Sequence, residues 1–141
     1  MVFNSILVAL DDSELAEEVI NTVCNLMVSQ ETKIILCHVF PPAQSEMELP
    51  YDVPNTQNVA FSYLHTEKLQ TYQSYLPVES TIELVMGNPP EEIIRLANIH
   101  NADLIVIGSR GLTGMKKIVQ GSVSSQVVED ANCSVFVVKP S

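Results

Sequence analysis

The chain has 141 residues, 46% of them hydrophobic and 17% charged, which is enough for one domain with its own core. A net charge of −10 argues against nucleic acid and anionic membrane surfaces as general partners. No apolar run approaches the roughly 20 residues of a membrane span, and Met1–Asn4 has no basic region ahead of an apolar one. The expectation is a single cytoplasmic domain over residues 1–141.

The elements alternate in kind along the chain. Ser5–Leu10 (SILVAL) is a short continuous apolar run and predicts a buried strand. Ser13–Ser29 places Leu15, Ala16, Val19, Ile20, Val23, Leu26 and Met27 at helical spacing and predicts an amphipathic helix. Lys33–Phe40 (KIILCHVF) predicts a second buried strand. Asn58–Leu76 predicts a helix ended by Pro77, and Thr81–Met86 a strand. Pro90–His100 opens with Pro and two glutamates, a favourable helix start. Asp103–Ile107 predicts a strand, Ser122–Asp130 a helix and Ser134–Val138 a closing strand.

This βαβαβαβαβ order predicts an α/β fold: a doubly wound parallel sheet of five strands with helices on both faces. Residues 41–57, with four prolines and three acids, form a long connection, either a mobile connector or a lid or partner-binding element. In such sheets, ligands sit beyond the carboxyl ends of strands where the strand order reverses. For an order of 3-2-1-4-5, that point lies between the turn at Asp11-Asp12-Ser13 and the turn that begins at Gly108.

Four of the five glycines fall in Gly108–Gly121, and Gly121-Ser122 leads into a helix. Glycine permits positive φ and close approach of backbone to a ligand. The first N–H groups of a helix lack internal partners and favour an anion. Ser122, Ser124 and Ser125 add hydroxyl donors. Arg110, Lys116 and Lys117 gather three of the seven basic residues here. Together these point to a phosphate site. The bland alternative is a set of turn glycines and a serine N-cap. There is no G-x-x-x-x-G-K-[ST] and no G-x-G-x-x-G. Asp11 has two readings, a ligand contact or a capping box with Glu14.

The spacing Gly108-x2-Gly111-x9-Gly121-Ser122 resembles the nucleotide-binding motif of the universal stress protein family. The segments VALDDSELAEEVI, KIILCHVF, GNPPEEII, ADLIVIGSRGLTGMKKIVQGSVSSQVV and CSVFVVK resemble it too, in order and across nearly the whole chain. The resemblance implies the strand order 3-2-1-4-5 and a homodimer formed through the last strand. It also implies ATP as the cofactor. The acidic pair Asp11-Asp12 departs from the family pattern and calls for Mg²⁺ between it and the phosphates, with Asp11 or Asp12 as a candidate water-mediated ligand. Asp11 then lies near the ribose and phosphates, and Ala9, Leu10 and Val39 near the adenine. Ile107, Gly108, Arg110 and Gly111 wrap the ribose and phosphate. Gly121, Ser122, Val123 and Ser124 hold phosphate at the helix start.

No catalytic set is legible. His38 reads as a packed histidine, and His65 and His100 as surface helix residues. Cys24, Cys37 and Cys133 have no metal-type spacing and read as buried, reduced thiols. The primary functional reading is a nucleotide-dependent regulator or sensor in the stress response. A slow ATPase or autophosphorylating enzyme, with Ser122 or Ser124 as acceptor, is the second. An interaction protein that binds no ATP, or binds cyclic AMP, is the third.

Overall fold

The structure is a computed structural model that describes residues 3–11, 14–26, 28–41, 66–109 and 123–140. In chain order the elements are β1 (Ser5–Ala9), α1 (Leu15–Asn25), β2 (Lys33–Phe40), a helical segment α2 (66–75), β3 (Ser80–Met86), α3 (Pro89–Ile99), β4 (Leu104–Gly108), α4 (Val123–Asp130) and β5 (Ser134–Val138). The five strands form one sheet in the order β3-β2-β1-β4-β5, and every neighbouring pair is parallel. At its centre Leu7 stands opposite Ile35 on β2 and Ile105 on β4.

The continuous apolar runs follow from burial on both faces, because successive strand side chains point to opposite sides. On one face Ile6, Val8, Ile34, Leu36, Leu104 and Val106 meet Leu15, Val19, Ile20 and Val23 of α1 and Leu69 of α2. On the other, Leu7, Ala9, Ile35, Cys37, Ile105 and Ile107 meet Ile93, Leu96 and Ala97 of α3 and Val127 of α4. Helices therefore cover both faces, as expected for the doubly wound class.

Most element ends fall within a residue of the expectation. One clear departure is α1, which ends at Asn25 and not at Ser29. Leu26 turns out of the helix with φ −77° and ψ 153°, and Leu26 and Val28 pack against the core from a non-helical path. The Ser29–Thr32 turn then ties to the start of β1, with the Thr32 hydroxyl donating to the Phe3 carbonyl at 2.9 Å. The capping box is also corrected. The N-cap of α1 is Glu14, whose side chain makes no cap bond, so Asp11 is not the cap residue. Of the helix expected over Asn58–Leu76, residues 66–75 are helical, while 58–65 and most of the 41–57 connection lie outside the described residues.

Helix α3 shows how local sequence sets both ends. Asn88 is the N-cap, its side chain accepting from the Glu91 N–H, and Pro89 and Pro90 occupy the first turn where no internal N–H is required. At the far end Asn101 takes a left-handed conformation, φ 52°, and the Ala102 N–H closes on the Ala97 carbonyl at 2.8 Å. Glycine is the better residue there, because it has no Cβ to strain. Asn101→Gly is therefore expected to stabilise the protein by about 0.5 kcal/mol. Urea unfolding with an unchanged m-value checks this, and a lowered midpoint would refute it.

Candidate functional site

The carboxyl ends of β1, β2 and β4 converge on a cleft of about 530 Å³, its open mouth included. This is the strand-order reversal between β1 and β4. Ala9, Leu10, Asp11, Val39, Ile107, Gly108 and Val123 of the expected site residues all line it. The long sequence separation between Asp11 and Gly108 is bridged by the β1–β4 pairing, which runs from Ile6 opposite Leu104 to Ala9 opposite Ile107. Ser124, one residue further into α4, is buried, and its hydroxyl donates to the Ser109 carbonyl at 3.4 Å. Arg110, Gly111, Gly121 and Ser122 lie outside the described residues, as do Asp12, Lys116 and Lys117.

The wall also contains residues not expected from the sequence: Leu15, Ala16 and Val19 of α1, Cys37 and His38 of β2, and Pro89 and Ile93 of α3. The α1 residues read only as a core-facing stripe, because nothing local says that the first turn of the stripe faces an opening. Pro89 lies one residue before the expected helix start at Pro90 and was not legible as a cleft residue. Its position follows from the crossover that returns the chain after β3. The first turns of α1 and α3 and the first residue of α4 thus meet at one opening. A helix start favours an anion through its dipole, but α3 offers no free N–H there, because Pro89 and Pro90 have none and Asn88 takes those of Glu91 and Glu92.

The β1–β2 ladder stops inside the cleft. Its register ends at Ala9 opposite Cys37, whereas β2 stays paired with β3 as far as Phe40 opposite Met86. The Leu10 N–H still reaches the Cys37 carbonyl at 2.9 Å. The Leu10 carbonyl is met by His38 Nδ1, also at 2.9 Å. His38 is 6% exposed and its ring stands edge-on to Phe40, centroids 4.7 Å apart. It is a packed histidine as expected, but one that lines the cleft.

Gly108 also has a packing role that the sequence did not show. It is a strand residue without positive φ, and a Cβ there would lie 2.8 Å from Leu15 Cδ2. Close approach of α1 to β4 requires the glycine. His100 also departs from expectation. It follows α3 and is half-buried, with Nε2 2.9 Å from the Glu83 carboxylate on β3.

All three cysteines are free thiols, but only Cys37 is fully buried. Burial, aided by the Glu83 carboxylate opposite it, pushes the Cys37 thiol up to about 12. Burial raises Cys24, and burial with Asp103 raises Cys133. None has the low pKa of a reactive thiolate. Among the described residues no group of three or more His, Cys, Asp or Glu could hold a metal ion, and no helix is long and apolar enough to cross a membrane.

Residues 3–139 match the model of the universal stress protein family. The chain belongs to this family. It is 29% identical to universal stress protein Sll1388 of Synechocystis, over 99% of each chain. It is 26% identical to universal stress protein YxiE of Bacillus subtilis, over 97% of this chain and 99% of that one. Among solved structures, protein MJ0577 of Methanocaldococcus jannaschii superposes with a TM-score of 0.84 at 28% identity, covering 100% of this chain and 99% of that one. The same fold recurs at lower identity. A universal stress protein solved in complex with cAMP is 19% identical with a TM-score of 0.73. One from Archaeoglobus fulgidus in complex with dAMP is 23% identical with a TM-score of 0.69. The observed strand order and the helices on both faces are those of this universal stress protein fold.

Proposed function

We propose that this universal stress protein binds an adenine nucleotide in the cleft, ATP with Mg²⁺ in the first instance, and acts as a cytoplasmic nucleotide-dependent regulator in the stress response. The observation that carries the reading is the apolar slot at the strand-order reversal, open to the start of α4. An apolar slot suits a base, and the start of α4 suits its phosphates. On this reading Val39 meets the base edge and Asp11 meets the ribose. Arg110, Gly111, Gly121 and Ser122 complete the phosphate end. Among the described lining residues Asp11 is the one carboxylate, and Mg²⁺ commonly uses one or two carboxylates with phosphates and waters. When bound, the ion would neutralise phosphate charge beside Asp11. The cAMP and dAMP complexes of the fold relatives agree in ligand class, while the ligands themselves belong to those proteins.

Titration calorimetry with ATP, ADP, AMP and cyclic AMP, with and without Mg²⁺, tests the reading. Saturable binding is expected for at least ATP with Mg²⁺. No heat with any of the four would refute it, and steady phosphate release would turn the regulator into an ATPase.

A homodimer through β5 belongs to the same proposal. β5 is an edge strand of Val135, Phe136 and Val137, with Phe136 41% exposed, whereas the opposite edge strand carries Glu83. Charged side chains protect an edge and apolar ones invite pairing. Sedimentation equilibrium at micromolar concentration is expected to give twice the 15.5 kDa chain mass. Phe136→Lys should shift it toward the monomer. A monomeric parent protein would refute the dimer.

A further inference from the structure

In a parallel pair, alternate residues of a strand turn both N–H and C=O to the same neighbour. Cys37 turns its carbonyl to the Leu10 N–H of β1 at 2.9 Å. The next β2 residue to face β1 is Val39. If the ladder ran on, the Val39 N–H would reach the Leu10 carbonyl. That carbonyl instead meets His38 Nδ1 at 2.9 Å. A carbonyl only accepts, so Nδ1 carries the hydrogen. The edge-on contact with Phe40, at 87° between ring planes, holds the imidazole in that orientation. Leu10, His38 and Val39 all line the cleft.

We propose that His38 is a positioning residue for the nucleotide base: its Nδ1–H satisfies the Leu10 carbonyl where the ladder stops, so that the Val39 N–H can stay out of the β1 ladder, available to a ring nitrogen of a purine. The role rests on the nucleotide reading above and assigns it a specific device. A side chain takes the place of a backbone donor, so the β1–β2 ladder ends early without leaving the Leu10 carbonyl unpaired. An unpaired buried carbonyl would itself be costly.

The test combines two variants with nuclear magnetic resonance of the full chain. In the wild type, imidazole ¹⁵N shifts should report the Nδ1–H form. The Val39 amide should exchange quickly without ligand and slow when AMP is added. His38→Leu removes the donor, so the Leu10 carbonyl can capture the Val39 N–H. AMP binding should then weaken roughly tenfold, the value of one good hydrogen bond, with the Val39 amide protected even without AMP. His38→Asn carries an amide donor close to the position of Nδ1 and should bind within about threefold of wild type. A merely structural histidine would alter melting temperature in both variants but not Val39 exchange.

An Nε2–H tautomer in the wild type overturns the proposal, and so does wild-type affinity in His38→Leu. If His38→Leu fails to fold, the tautomer and His38→Asn still decide. A wild type that takes up no adenine nucleotide brings down the site reading itself. That outcome is distinguished by the absence of any effect of AMP before a residue is changed.

Discussion

Gly108→Ala is expected to destabilise the protein by about 1–3 kcal/mol, although glycine-to-alanine changes in strands usually help. The added Cβ would lie 2.8 Å from Leu15 Cδ2 and 3.2 Å from Leu15 Cγ, with Val19 Cγ2 next at 3.6 Å. Leu15 is 7% exposed and packed in the core, so relief needs its side chain to repack toward the cleft or the first turn of α1 to shift from β4. Leu15, Val19 and Gly108 all line the cleft, so the same shift should weaken ligand uptake. Thermal unfolding should show a fall of roughly 3 °C or more per kcal/mol for a chain of this size. Leu15→Val shortens the clashing side chain, so the double variant should recover about 1 kcal/mol relative to the sum of the singles. Simple additivity would mean that glycine is needed there for another reason.

Asp103→Asn is expected to cost about 2 kcal/mol near neutral pH and much less in acid. The Asp103 carboxylate accepts the Asn4 N–H and the Ser5 N–H, each at 2.9 Å, across the start of the β1–β4 pair. The Asp103 N–H in turn donates to the Ser5 carbonyl at 2.9 Å. Charge-assisted bonds of this kind are worth about 1.5–3 kcal/mol when sheltered, and the exposed Asn4 bond contributes the smaller part. The amide of asparagine can replace one acceptor but turns a donor toward the second N–H. Burial raises the Asp103 pKa, but the backbone N–H groups of Asn4, Ser5 and Asp103 itself outweigh it and hold the carboxyl below its usual value. A depressed folded-state pKa adds stability that is complete above the unfolded value, about 3.9, and is lost as pH falls through the folded value. The stability gap between wild type and Asp103→Asn should therefore be constant above about pH 5 and close below about pH 4. A gap that stays open at low pH would show that shape, not charge, matters at Asp103.

The strand and helix types were legible because burial on both sheet faces writes a local signal. Runs such as KIILCHVF have no polar face, and α1 repeats apolar residues on one face. The end of α1 was not legible. Leu26 fits the helical period, yet it packs from an extended backbone, which only the return to β2 determines. The capping-box spacing of Asp11 and Glu14 was likewise a local signal that tertiary placement overrode. At the site, the resemblance to relatives pointed to Ala9, Leu10, Asp11, Val39, Ile107, Gly108 and Val123, and these do share one cleft. It did not point to His38 or Pro89, whose places depend on the ends of ladders and crossovers.

The amino-acid order by itself determined the element types, the parallel class and the family, because periodicity and motif spacing are carried by neighbours along the chain. The tertiary structure decided why Gly108 must be glycine, where β1 and β2 separate, and which helix starts share an opening. Those properties depend on contacts between residues far apart in sequence: Leu15 against Gly108, and His38 against Leu10. The glycine that read as a ligand contact is first a packing contact, and the histidine that read as packing stands at the edge of the site.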